Sequence, residues 1–328
     1  MAVAKTSAGF IKIRPVRPGA KVAIIAPASP LKAESIADNV LERGVAELKR
    51  LGFVPVYDDR INEQRGYLAG SALIRASSVE DAIRDPEIDA IMALRGGFGS
   101  AHLLPLIDTG QWAKRRTALI GYSDITSLHV LLNCKAGLVT IHGPMIDRRL
   151  SSGPERYEPS SLLTSLLDHP VGEVTAPEAE VLMPGDDAVG PVLGGTLSML
   201  AASLGTPYAF DPPEGFILYL DEVSERPYRI DRMLTQLKFA RVLARAKGIV
   251  MSGMNQCEEP SGAQDEPAKV SCRDVVRDVL TGFTGPVIYG VTSGHDAGEV
   301  ASIPFGVRAR VTASPAARFI IEEAAAGD

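Results

Sequence analysis

The sequence predicts an α/β fold in which helices cover a parallel β-sheet. Short apolar runs alternate with segments of helical spacing in the N-terminal third of the chain, in the order β-α-β-α-β. Consecutive strands separated by a helix pair in parallel, because the helix carries the chain back across the face of the sheet. At 328 residues the chain is also long enough for two domains that each bury a core.

Each element of the first half is indicated by its residue pattern. The run KVAIIA at 21–26 is rich in apolar and β-branched residues and stops at Pro27, which is typical of a buried strand. A helix over 33–51 is predicted by apolar residues spaced along one face and by Gly52 at its end. The same reasoning predicts strands over 53–57, 90–94, 118–120 and 139–142, and helices over 71–84 and 125–132.

The second half begins with a segment of different character. From about Asp147 to Asp187 the chain is rich in Ser, Pro, Glu and Arg and loses its periodicity, which predicts a linker or crossover. Arg229, Arg232 and Lys238 are expected on the outer face of a helix. The two last strands are expected to pair through a turn. The elements predicted here are helices over 194–204 and 228–239 and strands over 216–220, 248–251, 287–289, 309–312 and 318–322.

The composition argues against several classes of partner and site. Lys and Arg number 34 against 40 Asp and Glu, and no basic stripe is present, so no nucleic acid is expected to bind. No apolar run has the length of a membrane span and the first residues lack the apolar core of a signal peptide, so we expect no membrane partner and a cytoplasmic location. Cys134, Cys257 and Cys272 are far apart and lack metal-ligand spacing, so neither a disulfide framework nor a zinc site is predicted.

The most informative segment is ALIGYSDIT at 118–126. An apolar strand would end at Gly121, and Ser123 would follow on a sharp strand-to-helix turn that exposes a nucleophile. The backbone N–H of Asp124 would then face a developing oxyanion. The segment lacks the G-x-S-x-G pattern, and the alternative interpretation is that Ser123 only caps the following helix.

A glycine-rich loop, RGGFGS at 95–100, directly follows a predicted strand. It therefore lies at the carboxyl edge of the sheet, where ligands usually bind. Neither a dinucleotide fingerprint nor a Walker loop is present. Gly96 and Gly97 are suited to bring a bare backbone N–H close to a reacting carbonyl oxygen, opposite the N–H of Asp124. The alternative is an ordinary glycine-rich turn.

Three carboxylates follow the strand predicted over 216–220, namely Asp221, Glu222 and Glu225 in LYLDEVSE. Like charges repel, so such a cluster is unusual unless one member has a function, such as orienting a histidine. The alternative interpretation is that the carboxylates cap the helix that begins near Pro227, where negative charge is favourable.

His295, in SGHDAGE, is the candidate general base among the five histidines. A serine, an acid and a histidine follow one another here in a chain order that catalytic triads use. His142, in IHGPM, is the alternative base, although its place at the end of a buried strand favours a structural hydrogen bond.

Together these segments resemble the LD-carboxypeptidase family of serine peptidases, also called muramoyltetrapeptide carboxypeptidases, which includes the microcin self-immunity peptidases. The resemblance runs from about Gly19 to Val311, nearly the whole chain. The motifs that carry it are RGGFG at 95–99, GYSDIT at 121–126, HGPM at 142–145, PYRIDRML at 227–234 and GH at 294–295.

The resemblance implies two domains with the site at their junction. The N-terminal domain, 1–160, would be a parallel-sheet domain resembling class I glutamine amidotransferases. A linker over 161–187 would lead to a C-terminal swivelling β/α domain over 188–328. The resemblance also implies a homodimer.

The resemblance further implies the chemistry. Ser123 would be the nucleophile and His295 the general base, and the oxyanion would be held by the backbone N–H groups of Asp124 and of Gly96 or Gly97. No metal or organic cofactor is implied. The expected activity is hydrolysis of an L,D-peptide bond that releases the terminal D-alanine of murein tetrapeptide through an acyl-enzyme, in peptidoglycan recycling.

The sequence departs from the family pattern at two points. The family usually has L-E-D-x-x-E before PYRIDR, with the first Glu in the triad, whereas this chain has Asp221 followed by Glu222. Without gaps Asp221 takes the triad position, and Glu222 remains the other candidate because it would need a local twist to face the same side. Thr196 stands where the family often has Asn. Arg95 either holds a substrate carboxylate or supports its loop.

Two other functions remain as alternatives. A microcin-immunity-like peptidase would cleave peptidyl or aminoacyl nucleotides with the same triad and would need an aromatic residue that stacks on the nucleobase. Trp112, the only tryptophan, lies outside the crossover loop where that residue is expected. The remote alternative is a non-catalytic ligand-binding protein of the same architecture, against which the presence of both Ser123 and His295 argues.

Overall fold

The chain forms two β-sheets flanked by helices. The computed structural model describes residues 9–174, 177–259 and 270–327. The strands are β1 (Lys21–Ile25), β2 (Val54–Val56), β3 (Ile88–Ala93), β4 (Ala118–Gly121), β5 (Thr140–His142), β6 (Gly172–Glu173), β7 (Glu180–Met183), β8 (Ala188–Thr196), β9 (Phe216–Asp221), β10 (Ala246–Ser252), β11 (Val287–Val291), β12 (Ile303–Phe305), β13 (Arg308–Thr312) and β14 (Arg318–Ile321).

Most helices are short. They are α1 (Ala33–Ala37), α2 (Val40–Arg50), α3 (Ala72–Arg84), α4 (Thr109–Arg115), α5 (Thr126–Leu131), α6 (Pro159–Ser165), α7 (Leu197–Ser203), α8 (Pro227–Phe239), α9 (Val242–Arg245) and α10 (Cys272–Val279). As predicted, Arg229, Arg232 and Lys238 are exposed on α8. Within the described ranges, no helix combines the length and the apolar character needed to cross a membrane.

The first sheet has the strand order β12-β5-β4-β3-β1-β2. Its five N-terminal strands are all parallel, which confirms the predicted parallel sheet. Strand β12 was not predicted. It comes from the C-terminal part of the chain and pairs antiparallel with β5, with Ile303 opposite His142. The C-terminal part therefore completes the edge of the first sheet.

The second sheet is mixed, in the order β6-β14-β13-β8-β9-β10-β11-β7. Strands β8 to β11 are parallel, and the outer strands are antiparallel. The predicted pairing of the last two strands is confirmed, with Ala309 opposite Ile321. The segment 161–187, predicted as a linker or crossover, contributes β6 and β7 to this sheet.

The two sheets share one core. A continuous cluster of buried apolar side chains contains Ile24 of β1 and Ile120 of β4 together with Leu218 of β9 and Val311 of β13. Every residue of β4 and of β9 is buried. The carboxyl ends of these two strands are therefore held in fixed positions by packing on both sides.

Two predicted helices have different bounds in the structure. The helix predicted over 33–51 is divided into α1 and α2, because Asn39 adopts a left-handed backbone with a φ of 51°. Asn tolerates this conformation better than most residues, and it interrupts an α-helix.

The prediction of a helix from Gly194 was wrong, since 194–196 is the end of β8 and the helix begins at Leu197. Gly194 and Gly195 have φ angles of 156° and 135°, which exclude an α-helix. A Cβ atom at Gly195 would lie 2.6 Å from Thr126 at the start of α5, so the glycine lets β8 and α5 approach closely.

Candidate active site

Ser123 lies two residues beyond β4, on the turn that leads into α5. Its φ is 66°, a left-handed value that non-glycine residues rarely adopt. A short 3₁₀ turn over Ser123–Ile125 connects it to the helix, and Tyr122 and Ile125 occupy the N-cap positions of the two segments. Ser123 is therefore not the helix cap of the alternative interpretation. Its strained backbone matches the turn on which hydrolases hold a serine nucleophile.

The side chains of Ser123, His295 and Asp221 form one hydrogen-bonded line. His295 Nε2 lies 3.0 Å from Ser123 Oγ, and His295 Nδ1 lies 2.7 Å from Asp221 Oδ2. The carboxylate accepts from Nδ1–H, which fixes the tautomer and leaves Nε2 free to accept the hydroxyl proton. This is the geometry in which an imidazole removes a proton from a serine.

Asp221, the last residue of β9, is fully buried. Its Oδ1 accepts hydrogen bonds from the backbone N–H of His295 and from Ser252 Oγ, both at 3.2 Å. Burial disfavours its charge, but the nearby imidazole of His295 and the hydrogen bonds hold the pKa of Asp221 below its ordinary value. Asp221 is therefore ionised over the pH range in which its carboxylate must orient the imidazole of His295.

The pKa of His295 is shifted in the opposite direction. Burial disfavours the imidazolium, yet the charge of Asp221 and its hydrogen bond outweigh burial and raise the pKa of His295 above its ordinary value of 6.5. The line of three groups is thus set to accept a proton at Nε2 and to hold it as an imidazolium.

The other two carboxylates of the cluster have different partners. Glu222 accepts from the N–H of Ser198 at 2.7 Å, in the first turn of α7, and from the N–H of Val223 at 3.0 Å. Glu225 lies 3.3 Å from Arg229 one turn along α8. Glu225 lies at the start of the helix that begins at Pro227, as the capping interpretation expects, whereas Glu222 binds the first turn of a different helix, α7. Asp221 and Glu222 face opposite directions, as neighbours at a strand end do.

His142, the alternative base, is fully buried away from Ser123. Its ring packs 5.1 Å from that of Tyr219 and 5.3 Å from that of Phe305, centroid to centroid. Burial lowers the pKa of His142 to about 3. Within the part of the chain that the structure describes, neither ring nitrogen has a hydrogen-bond partner, so the expected structural hydrogen bond is not found there.

The glycine-rich loop lies directly against the serine. A Cβ atom at Gly96 would be 3.0 Å from Ser123 Oγ and 3.4 Å from the backbone nitrogen of Asp124, so only glycine leaves room there for a reacting carbonyl. The Asp124 carboxylate accepts from the N–H of Ser100 at 2.8 Å and fixes the loop to the serine turn. Ser29 Oγ accepts from the N–H of Phe98 at 3.1 Å and supports the loop from the other side.

Arg95 and Thr196 are placed at the border of the site. Arg95 donates to the carbonyl oxygen of Pro30 at 2.9 Å and lies 3.7 Å from the Asp147 carboxylate, while its edge lines the cavity beside Ser123. It supports the loop whether or not it also contacts substrate. The N–H of Thr196 donates to Thr126 Oγ1 at 3.0 Å, which ties β8 to the start of α5.

A cavity of about 470 Å³ opens above Ser123 and His295. One wall, from the first half of the chain, carries Arg95, Arg148 and Arg156. The other wall, from the second half of the chain, carries the polar side chains of Ser224, Asn255 and Gln256 and one carboxyl, that of Asp296. Arg148 and Arg156 are exposed, so the cavity is cationic on one side although the chain carries a net charge of −6. This suits a substrate with free carboxylates.

The sequence analysis missed two residues of the site. Tyr122 lines the cavity, and its ring centroid lies 5.0 Å from that of His295 in an edge-to-face contact. Arg149 also borders the cavity, but it is buried and hydrogen-bonded to the loop that carries His295. The pair Arg148-Arg149, which begins three residues after the HGPM motif, was the signal for Arg149, but nothing local distinguishes the buried member of the pair from the exposed one.

The comparisons with known proteins agree with this geometry. The model of the LD-carboxypeptidase N-terminal domain matches residues 22–143, and that of the C-terminal domain matches residues 189–311. A probable murein peptide carboxypeptidase of Bacillus subtilis is 32% identical over 91% of this chain and 90% of its own. The murein tetrapeptide carboxypeptidase of Pseudomonas aeruginosa is 31% identical over 84% and 88%.

Among solved structures, the microcin C7 self-immunity protein MccF in complex with glutamyl sulfamoyl guanosine has a TM-score of 0.82. It is 23% identical and covers 95% of this chain and 99% of its own, which shows a common fold. The two family models, the identity to curated carboxypeptidases over nearly their whole length and the hydrogen-bonded Ser, His and Asp side chains lead to one conclusion. The chain belongs to the LD-carboxypeptidase family and is a serine-type hydrolase.

Proposed function

We propose that this protein removes the terminal D-alanine from murein tetrapeptide by hydrolysing an L,D-peptide bond, with Ser123 as nucleophile, His295 as general base and Asp221 as the orienting acid. The observation that carries the proposal is the unbroken hydrogen-bonded line from Asp221 through His295 to Ser123 at the floor of an open cavity. The murein peptide named for the relatives in Bacillus subtilis and Pseudomonas aeruginosa supports the choice of substrate.

The reaction follows from the positions of these groups. Ser123 Oγ attacks the peptide carbonyl carbon while its proton passes to His295 Nε2. The tetrahedral intermediate collapses as Nε2 returns the proton to the leaving nitrogen of D-alanine, which leaves an acyl-enzyme on Ser123. Water, deprotonated by the same nitrogen, then attacks the ester, and the shortened peptide leaves as a free acid. Serine and neutral imidazole are restored.

The negative charge on the intermediate needs donors at its oxygen. We assign this role to the backbone N–H groups of Asp124 and of Gly96 or Gly97. Support comes from the close approach of Gly96 to Ser123 and from the Asp124–Ser100 hydrogen bond, which holds the two segments together. Fixed backbone donors in a buried site lower the barrier because they need no reorientation during the reaction.

The cavity wall supports an acidic peptide as substrate. Arg148 and Arg156 are exposed at the cavity, and Arg95, the first residue of the glycine-rich loop, also lines it. A murein tetrapeptide carries several carboxylates, which these guanidinium groups would attract. The alternative, cleavage of a peptidyl or aminoacyl nucleotide, would need a ring that stacks on the base. In the described part of the cavity wall the aromatic residue is Tyr122, whose ring packs on His295, and Trp112 is buried elsewhere.

One experiment tests both functions. The purified protein is incubated with murein tetrapeptide and, separately, with an aminoacyl-sulfamoyl adenosine, and mass spectrometry follows D-alanine and the free amino acid. We expect release of D-alanine from the tetrapeptide and loss of this activity in Ser123→Ala, with the fold unchanged by circular dichroism. Hydrolysis of the nucleotide alone would favour the alternative. Turnover near the wild-type rate in Ser123→Ala would refute the nucleophile assignment.

The proposal also includes the oligomeric state, the location and the domain organisation of the protein. We propose a homodimer that acts in the cytoplasm in peptidoglycan recycling, with domains over 1–160 and 188–328 joined by 161–187. The parallel first sheet supports an arrangement similar to class I glutamine amidotransferases, and the second would be the swivelling unit. Size-exclusion chromatography with light scattering tests the dimer.

A further inference from the structure

Arg149 is hydrogen-bonded to the loop that carries His295, although the two lie far apart in the chain. Its side chain is 3% exposed. Its Nη2 donates to the carbonyl oxygens of Gly294 at 2.6 Å and Asp296 at 2.8 Å, the residues on either side of His295. Its Nη1 donates to the carbonyl oxygen of Gly298 at 3.0 Å. One guanidinium therefore binds three carbonyl groups of the loop that carries the general base.

Arg149 is itself fixed to the first sheet, on which Ser123 stands. The N–H of Asp147, two residues before it, donates to the carbonyl of Leu94 at the end of β3, at 2.8 Å. The Cζ atom of Arg149 also lies 5.7 Å from the centroid of the Tyr122 ring, next to Ser123 in the chain. Arg149 thus contacts both the histidine loop and the segment that holds the nucleophile.

Packing alone does not explain a guanidinium in this place. Within the described part of the chain Arg149 forms no ion pair, and its Nε has no hydrogen-bond partner. A buried charge without a partner of opposite sign is costly, and an apolar side chain of similar size would pack there at lower cost. The five donors of a guanidinium, however, hold several carbonyl groups in one fixed geometry, which no other side chain does.

We infer that Arg149 is a positioning residue for the general base: it holds the 294–298 loop against the Ser123 turn and so sets the distance from His295 Nε2 to the Ser123 hydroxyl. This inference rests on the proposed function, because it assigns a role in that reaction. It concerns no contact with substrate. A loop released from Arg149 would still carry the imidazole, but at a variable distance from Ser123.

The test compares two substitutions with a matched control. Arg149→Lys keeps the positive charge but cannot reach all three loop carbonyls, and Arg149→Met removes both charge and donors. Arg116→Met is the control. Arg116 also joins distant parts of the chain through a carbonyl, that of Gly327 at 3.1 Å, but it lies away from the cavity.

The expected result is a loss in kcat with little change in KM. A displacement of a reacting group by about 1 Å costs about 100-fold in rate, so we expect about 100-fold loss for Arg149→Met and about 10-fold for Arg149→Lys. KM should change by less than about threefold, because Arg149 borders the cavity but is 3% exposed, and its terminal nitrogens are bound to carbonyl groups of the 294–298 loop. Arg116→Met should keep wild-type kcat. Thermal unfolding verifies that each variant is folded. If Arg149→Met does not fold, the kinetics of Arg149→Lys carry the test.

A second readout needs no substrate. The pKa of His295 is followed by NMR titration of the imidazole, with its signal identified by its loss in His295→Gln. The groups near this ring are Asp221 at the end of β9, Tyr122 and Ser123 after β4, His142 on β5, Asp296 in the loop, and Arg149. Glu222 faces away from the ring, but its charge still acts on it. Arg149→Met should raise the pKa, since its charge opposes the imidazolium, and Arg149→Lys should leave it nearly unchanged.

Three kinetic results would overturn the inference. One is an unchanged kcat in folded Arg149→Lys and Arg149→Met. Another is a rise in KM at constant kcat, which would make Arg149 a substrate-binding residue. The third is a loss in Arg116→Met as large as that in Arg149→Met. The failure of the proposed function is a different result, namely that the wild type releases no D-alanine. The titration still tests the inference in that case, because an unchanged pKa of His295 in Arg149→Met would count against it.

Discussion

The sharpest test of the site is the exchange of Asp221 for asparagine. Asp221 Oδ1 accepts from two donors, one of which is the backbone N–H of His295, at 3.2 Å. That N–H cannot reverse its direction, so the amide oxygen of asparagine must take the Oδ1 position. The amide NH₂ then faces His295 Nδ1, which is 2.7 Å from Oδ2 in the native site. A donor at this position forces Nδ1 to be the acceptor and puts the ring proton on Nε2.

The imidazole would then be in the wrong tautomer to accept the Ser123 proton. The corresponding change in a Ser-His-Asp triad lowers kcat by about 10⁴-fold, equivalent to about 5.5 kcal/mol in the activation barrier. We expect a loss of this order for Asp221→Asn, because the side chain is fully buried and no water can replace the carboxylate. KM should change little, since Asp221 does not line the cavity.

Glu222→Gln is the matched control, because it makes the same chemical change one residue away. Glu222 accepts one backbone N–H on each carboxylate oxygen, so glutamine leaves one N–H facing an NH₂. We expect a loss of about 1–3 kcal/mol in the free energy of unfolding and a kcat within about threefold of the wild type. Initial rates of D-alanine release from murein tetrapeptide measure both variants. A kcat for Asp221→Asn within tenfold of the wild type, or a larger loss in Glu222→Gln, would refute the assignment.

Three further predictions concern pH, the oxyanion site and stability. The raised pKa of His295 predicts that kcat/KM increases with pH as the imidazole loses its proton, with a midpoint above 6.5; a midpoint below this value in a pH–rate profile would contradict the assigned base. Gly96→Ala should lower kcat/KM by about 100-fold, because its Cβ would lie 3.0 Å from Ser123 Oγ in the space of the reacting carbonyl. Steady-state kinetics measure this loss, and an unchanged kcat/KM would contradict the assigned oxyanion site. Burial raises the pKa of Asp296 from 3.8 to about 6, so the free energy of unfolding should fall by about 3 kcal/mol as pH rises between these values; Asp296→Asn should remove this fall and raise the Tm at pH 8 but not at pH 4 in calorimetry.

The fold was predictable where the signal was local. The five parallel strands of the first sheet and α8 were found from runs of apolar residues or from apolar residues spaced at a helical turn. Strand β12 was missed because its three residues are too short to show a period, and its pairing with β5 joins segments far apart in the chain. The helix predicted over 194–204 is present as α7, but its predicted start at Gly194 was wrong, because apolar residues on both sides of two glycines suggested continuity where the backbone is extended.

The sequence by itself determined the parallel first sheet, the turn at Ser123 and the short list of residues that the site could use. These depend on near neighbours in the chain, such as a strand that ends in glycine before a serine. Only the tertiary structure decided that Asp221 rather than Glu222 faces His295, because the two carboxylates are 73 and 74 residues from the imidazole and differ only in which side of a strand end they occupy. It also decided that Arg149 is buried and Arg148 exposed. The physical reason is that a hydrogen bond depends on direction and distance between groups that packing brings together, and neither is encoded in local periodicity.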